Sequence, residues 1–267
     1  MTVVYAKRSL SQNFLVDPNI RRKLVAELDA GAQEVVLEIG AGHGELSELI
    51  VGTVRCLVLV EKDDRLAAEL SDRFDHTAGV EVVHADALET DLAALVGDRG
   101  GRLISNVPYG ITSPLIFHFL EMHPIPTRMV LLVQKEVADR IASPAGSKVY
   151  GALSVGVQAR AHVRIAFRVG RQAFRPIPAV DSAAIVLEPR AAPLDPATQA
   201  DLRVLTRVAF SRRRKQLLRI LRSAPEYDLP RDRIERILDS MGLSPQARPE
   251  TLTPDDFVRL ARRLRGP

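Results

Sequence analysis

The feature that most limits what this chain can become is the run Val35-Val-Leu-Glu-Ile39, followed at once by Gly40-Ala-Gly-His-Gly44. Five mostly apolar residues read as a strand buried on both faces, and the glycines behind it open a helix expected over about 45–51. The same rhythm then repeats. Residues 57–60 predict a second strand, and 63–74 a helix with Leu66, Ala67, Leu70 and Phe74 on one face. A third strand is expected over 80–83, a short helix over 92–96, the end of a fourth strand at Leu103-Ile104, a helix over 114–122 and a fifth strand over 129–133. Strands alternating with helices make a mostly parallel sheet covered on both faces. Upstream, Asp17 as N-cap, Pro18 in the first turn and Gly31 beyond the end predict a helix over about 18–30. Later the rhythm changes: 163–169 and 183–187 predict two strands without a long helix between them, an antiparallel pair closing one edge of the sheet. The fold class is α/β, with a Rossmann-like sheet.

Residues 189–196 carry three prolines and few apolar side chains, and they mark a domain boundary. The expected division is 1–192, with an N-terminal arm, and 193–267, a small all-α domain with helices at about 198–209, 212–222, 230–240 and 254–264. Charge divides in the same place. Residues 196–267 hold 16 Lys/Arg against 9 Asp/Glu, a net of +7, and the rest hold 21 against 24, a net of −3. A basic C-terminal unit beside a near-neutral body suits a polyanionic partner. If 212–222 is one helix, Arg212, Lys215, Arg219 and Arg222 line a single face at i, i+3, i+7 and i+10. With Arg213, Arg214 and the arm's Lys7 and Arg8, they are the expected contacts for that polyanion. Cys56 is the sole cysteine, which excludes a disulfide framework or a cysteine metal site, and no metal is expected. No apolar run approaches the roughly 18–20 residues that span a bilayer, and residues 1–14 lack the apolar core of a signal peptide. The expected location is a reducing cytoplasm.

Three strand ends carry chemistry. The loop Gly40 to Gly44, with Gly40 and Gly42, lets a ligand approach the backbone closely. Glu61, with Lys62 beside it, ends the second strand about twenty residues on, placed to bind both hydroxyls of a ribose. Asp86, followed by Ala87, comes after the third strand and could accept from an adenine amine. Together they make an adenosine site. The chain has no G-x-x-x-x-G-K-[ST] phosphate loop, so a phosphate-free adenosine such as S-adenosylmethionine suits the site better than a nucleotide phosphate.

A fourth strand end, Asn106-Val-Pro-Tyr109, is the expected reaction centre. The Asn106 oxygen and the carbonyl of Val107 or Pro108 can accept from an exocyclic amine, and Tyr109 can stack on a flat base. An aryl amine is a poor nucleophile. Accepting both its hydrogens, with the Asn106 oxygen and the Pro108 carbonyl, favours a pyramidal nitrogen aimed at a methyl sulfonium, with no dedicated general base. Phe174 is expected on the opposite face of the base from Tyr109.

Five segments jointly resemble the ribosomal RNA adenine N6-dimethyltransferases: Ser11-Gln-Asn-Phe-Leu15, Glu38-Ile-Gly-Ala-Gly42, Asn106-Val-Pro-Tyr109, Gln134-Lys-Glu136 and Phe174-Arg-Pro-Ile-Pro-Ala-Val-Asp-Ser182. The likeness covers nearly the whole chain in order. Ser147 to Ser154, Arg212 to Leu218 and Arg248 to Phe257 are similar to the small-subunit (16S rRNA) branch. The resemblance implies a class I methyltransferase fold and N6-dimethylation of two adjacent adenosines near the 3′ end of small-subunit rRNA. It implies that Asn13 and Leu15 of the arm close over S-adenosylmethionine, with Gly40, Glu61, Asp86 and Asn106 completing the pocket. The expected partners are ribosomal RNA and the small ribosomal subunit, without a membrane, for a monomer. Two alternatives stand beside this reading: the large-subunit (23S) branch associated with macrolide-type resistance, and a non-catalytic assembly factor on the same scaffold.

Overall fold

The structure, a computed structural model, describes residues 12–97 and 101–265. The chain runs β1 (Phe14–Leu15), α1 (Pro18–Leu28), β2 (Val35–Ile39), α2 (Ser47–Ile50), β3 (Cys56–Glu61), α3 (Asp64–Arg73), β4 (Val80–His84), α4 (Leu92–Val96), β5 (Arg102–Asn106), α5 (Thr112–Leu120) and β6 (Arg128–Gln134). Then come α6 (Lys135–Ile141), α7 (Ala152–Gln158), β7 (Ala161–Val169), β8 (Phe174–Arg175) and β9 (Ser182–Pro189). The last helices are α8 (Pro196–Ser211), α9 (Leu217–Arg222), α10 (Arg231–Ser240) and α11 (Pro254–Leu264).

The helix starts follow from side-chain oxygens that satisfy otherwise orphaned N–H groups. Asp17 accepts from Asn19 N at 2.8 Å and Ile20 N at 3.2 Å, and Asp91 accepts from Ala93 N at 3.1 Å and Ala94 N at 3.3 Å. Asp63 caps α3 by accepting from Arg65 N at 3.0 Å. Thr253 and Asp256 cap α11 reciprocally, each side chain accepting from the other's backbone N–H.

The main sheet has seven strands in the order β4-β3-β2-β5-β6-β9-β7. From β4 to β6 all neighbours are parallel. β9 runs antiparallel to β6, with Val130 opposite Val186 and Gln134 opposite Ser182. The later strand β9 therefore lies inside, and β7 forms the edge. All of β2 is buried, as its continuous apolar run requires. Strand order reverses between β2 and β5, and the crevice at such a reversal, beyond the strands' C-terminal ends, is where open α/β sheets bind ligands. A separate two-stranded ribbon pairs β1 with β8 antiparallel, Phe14 opposite Arg175 and Leu15 opposite Phe174.

Two compact units emerge. The first runs to Ala138 and takes in His162–Pro189; the second is Asp139–Ala161 with Arg190–Pro267. The chain passes from the first unit to the second after Pro189. Residues 139–161, expected in the first domain, pack instead with the second. Tyr150, Val155 and Ala159 are buried in a cluster with Leu202, Leu205 and Phe257, and the Tyr150 hydroxyl donates to Leu252 O at 2.9 Å. The helices α6 and α7 have no counterpart in the sequence reading.

A second difference concerns the basic face. α8 ends at Ser211, Arg212 leaves the helical region at φ −128°, and Gln216 is extended before α9 starts at Leu217. Leu217 N donates to Ala247 O at 2.8 Å, and Leu217 and Leu221 are buried. Burying those two leucines breaks the helix expected from 212, so Arg212 and Lys215 do not share a helix face with Arg219 and Arg222. Arg213 is partly withdrawn from solvent: it donates to Ser147 O at 3.0 Å and lies 3.9 Å from Glu250. Arg212, Arg214, Lys215, Arg219 and Arg222 are exposed. Lys7 and Arg8 lie outside the described residues.

Candidate active site

A cavity of about 400 Å³ opens at the strand-order reversal, within the size range of small-molecule sites. Its floor is the loop behind β2. Gly42 has φ +62°, and a Cβ there would meet the Phe14 ring at 3.3 Å, so glycine is required both by backbone conformation and by the approach of the arm. Phe14 continues across the loop, its ring centroid 4.6 Å from that of His43.

Glu61, at the end of β3, is buried at 6% exposure. Its two oxygens accept from Gly42 N and Asp63 N, both at 2.9 Å, which ties the glycine loop to the neighbouring strand. Burial raises the Glu61 pKa, and these backbone N–H donors counter it. Each carboxylate oxygen keeps acceptor capacity for a further hydroxyl. Asp86, beyond β4, accepts from Leu88 N at 2.9 Å and from the Lys62 ammonium. The bond from Lys62, with that from Leu88, holds the Asp86 carboxyl below its ordinary range, so it stays ionised. Beneath the loop lies Glu38, 2% exposed and accepting from Ser47 Oγ at 2.7 Å. Burial pushes its pKa up to about 8, which makes it a neutral acid at physiological pH.

On the opposite wall, Asn106 Nδ2 donates to Asn13 O at 2.8 Å. This commits the amide's NH2 end to the arm and leaves its oxygen as the acceptor for an incoming donor. Val107 N donates to Leu132 O at 3.1 Å, holding the turn onto β6. The Tyr109 hydroxyl lies 2.6 Å from Ser182 Oγ at the start of β9, and burial raises the Tyr109 pKa.

Most of the expected residues meet here. Asn13, Gly40, Gly42, Glu61, Lys62, Asp86, Ala87, Asn106, Pro108 and Tyr109 all line the cavity. Two expectations change. Leu15 does not line it; at 4% exposure it belongs to the core, because strand pairing turns successive side chains to opposite faces and the cavity takes Phe14 instead. Phe174 is fully enclosed in the same core and does not line the cavity, so it is not placed to stack on a base. The Pro108 carbonyl already accepts from Ile111 N at 3.1 Å and from Thr112 Oγ1 at 3.3 Å. The turn into α5 thus draws on this oxygen, although Thr112 Oγ1 is shared with Tyr109 O at 3.3 Å, and the Val107 carbonyl is the other acceptor that sequence proposes. Sequence reasoning missed Phe14, Val60 and Leu88 as lining residues. Phe14 stands in the arm motif Ser11 to Leu15, whereas Val60 and Leu88 have no signal beyond apolarity. Among the described residues no group of three His, Cys, Asp or Glu could hold a metal ion, and no helix is long and apolar enough to cross a membrane.

A mostly parallel sheet with a glycine loop and acids at three successive strand ends defines a Rossmann-like methyltransferase. The chain belongs to the ribosomal RNA adenine dimethylase family, whose model matches residues 4–265. It is 40% identical to a ribosomal RNA small subunit methyltransferase A of Levilactobacillus brevis over 265 residues, covering 96% of this chain and 88% of the relative. It is 37% identical to the protein of that name from Geobacter metallireducens, covering 98% and 96%. Among solved structures, a dimethyladenosine transferase from Plasmodium falciparum superposes with a TM-score of 0.80 at 26% identity, covering 92% of this chain and 95% of that one. The 23S rRNA methyltransferase ErmE superposes with 0.71 at 27% identity, covering 95% and 100%.

Proposed function

We propose that this protein transfers methyl groups from S-adenosylmethionine to N6 of two adjacent adenosines near the 3′ end of small-subunit (16S) rRNA, acting as a cytoplasmic monomer in ribosome biogenesis. The observation that carries the reading is the cavity joining Glu61 and Asp86 to Asn106-Val-Pro-Tyr109. The residues fit the donor: a buried carboxylate for two ribose hydroxyls, an ionised Asp86 for the adenine edge, and no phosphate-binding loop. S-adenosylmethionine supplies an activated methyl on a sulfonium. The chain supplies position. Asn106 Oδ1 and the Val107 carbonyl accept the two N6 hydrogens, which draws the nitrogen lone pair out of ring conjugation, and Tyr109 stacks on the extruded base. The exposed cations Arg212, Arg214, Lys215, Arg219 and Arg222, with Lys7 and Arg8 of the arm, would meet RNA phosphates, while Arg213 holds its own unit together.

Relatives named for the small subunit, at 37–40% identity over nearly the full chain, favour that target over the large subunit. Labelled S-adenosylmethionine with unmodified small or large subunits, followed by mass mapping of the labelled nucleotide, tests the reading. Two adjacent dimethyladenosines in small-subunit rRNA are expected. Label in large-subunit rRNA would redirect the proposal, and no transfer with no cofactor binding would mark an assembly factor.

A further inference from the structure

The segment from β8 to β9 is held at three points, and its two large apolar side chains are left open. Phe174, Pro178 and Ser182 are buried at intervals of four residues. Asp181 closes the loop: its backbone O accepts from Lys135 N at 2.9 Å, and its Oδ1 accepts from Arg171 N at 3.0 Å. The start of the loop is pinned through β8 to the arm strand β1. Between these anchors Ile177 is 48% and Val180 44% exposed. With Val149 they are the exposed large hydrophobics among the described residues. So ordered a loop could turn branched apolar side chains inward, and it does not.

Two neighbouring facts indicate what covers them. Arg171 and Arg175, just before and within β8, are exposed, so cations flank the apolar tips on the N-terminal side, while the exposed Asp181 follows Val180 with one carboxylate oxygen engaged by Arg171 N. Val180 lies two residues before Ser182, whose hydroxyl meets Tyr109 at 2.6 Å, so the loop continues directly from the turn that would hold the target base. Unpaired RNA presents the complement of this surface, with bases that stack on apolar groups and phosphates that pair with guanidinium. Apolar side chains inserted at a base step are a recurrent way of holding a strand open.

We propose that Ile177 and Val180 form an apolar wedge that seats against the nucleotide beside the target adenine and keeps the strand unstacked while that adenine occupies the cavity. The wedge rests on the RNA-adenine reading above and adds a second contact that recognises unpaired RNA.

The test compares Ile177→Ser/Val180→Ser with Ile177→Leu/Val180→Ile in the full chain. With unmodified small subunits, kcat/KM of the serine variant is expected to fall about ten-fold, the loss associated with removing one base-stacking contact. Its cofactor affinity and melting temperature should match wild type, and the Leu/Ile variant should keep wild-type rates. A second readout uses an unpaired RNA oligonucleotide carrying 2-aminopurine next to the target adenine. Wild type at saturation should change its fluorescence, and the serine variant should not. Wild-type rates and signal in the serine variant would overturn the wedge, as would equal losses in both variants. Reduced activity with an unchanged fluorescence response would also overturn it, and would assign the patch to a protein of the assembling subunit. If wild type methylates neither subunit yet the fluorescence change depends on these two residues, the wedge stands and the proposed function falls.

Discussion

Replacing Glu38 by Gln should change how stability responds to pH. Glu38 sits under the glycine loop at 2% exposure, accepts from Ser47 Oγ at 2.7 Å and has its pKa raised from 4.5 to about 8. The unfolded chain therefore releases this proton near 4.5, while the folded protein retains it until near 8. Between those values the folded state binds one more proton, so raising the pH favours unfolding. The contribution is fully present below pH 4.5 and lost as pH climbs through 8. At about 1.4 kcal/mol per pH unit, wild type loses about 3 kcal/mol by pH 7 and about 5 kcal/mol above pH 8 through this group. Glutamine can still accept from Ser47 and has no proton to release. Urea unfolding of both proteins at pH 4.5, 7 and 9 should show the gap between them shifting in the variant's favour by several kcal/mol from lowest to highest pH. A gap that stays constant across this range would refute the claim that Glu38 is a buried neutral acid.

Asn106→Ala should keep measurable cofactor binding in calorimetry, with an affinity loss from the broken Asn13 hydrogen bond, but turnover on small subunits should drop on the order of a hundred-fold or more. Near-wild-type turnover would end the amine-positioning role. Glu61→Gln replaces one of the two oxygens that accept from Gly42 N and Asp63 N by an NH2 that cannot accept, and should weaken cofactor binding about ten- to hundred-fold by calorimetry; unchanged affinity would place the ribose elsewhere. Gly42→Ala forces a Cβ into φ +62° and against Phe14, so the melting temperature and cofactor affinity should both fall, the backbone strain alone being about 1–2 kcal/mol. Arg219→Glu with Arg222→Glu should weaken RNA binding and reduce its salt slope by about 0.7 for each phosphate no longer neutralised. An unaltered slope in filter binding at two salt concentrations would remove α9 from the RNA surface.

What can be read from the sequence tracks where local signals and tertiary demands agree. β2, β3 and the helices α1, α3 and α11 are legible because apolar periodicity and capping residues such as Asp17, Asp63 and Thr253 point the same way. The convergence of Glu61, Asp86 and Asn106 on one cavity is legible because Glu61 and Asn106 end strands and Asp86 lies just beyond one, and the sheet brings strand ends together. The side chains of Leu15 and Phe174 lie in the core and not on the cavity wall because the pairing of β1 with β8, set by non-local backbone bonds, decides which arm side chain faces the cavity. The break before α9 is invisible for a similar reason: it comes from burying Leu217 and Leu221 and from Ala247, thirty residues away. The bond from Ile111 N to the Pro108 oxygen belongs to the turn that Pro108 starts, and no residue type in the sequence announces it.

The second unit is assembled from two separate stretches of chain, 139–161 and 190–267. A fragment stopped after Pro189 would thus not be a clean catalytic body. It would still carry α7 and Tyr150, stripped of Leu202, Leu205, Phe257 and the Leu252 carbonyl they rest on. Such a truncation bares apolar surface to water, so grafting a different RNA-binding tail onto this catalytic body means exchanging the internal segment together with the tail.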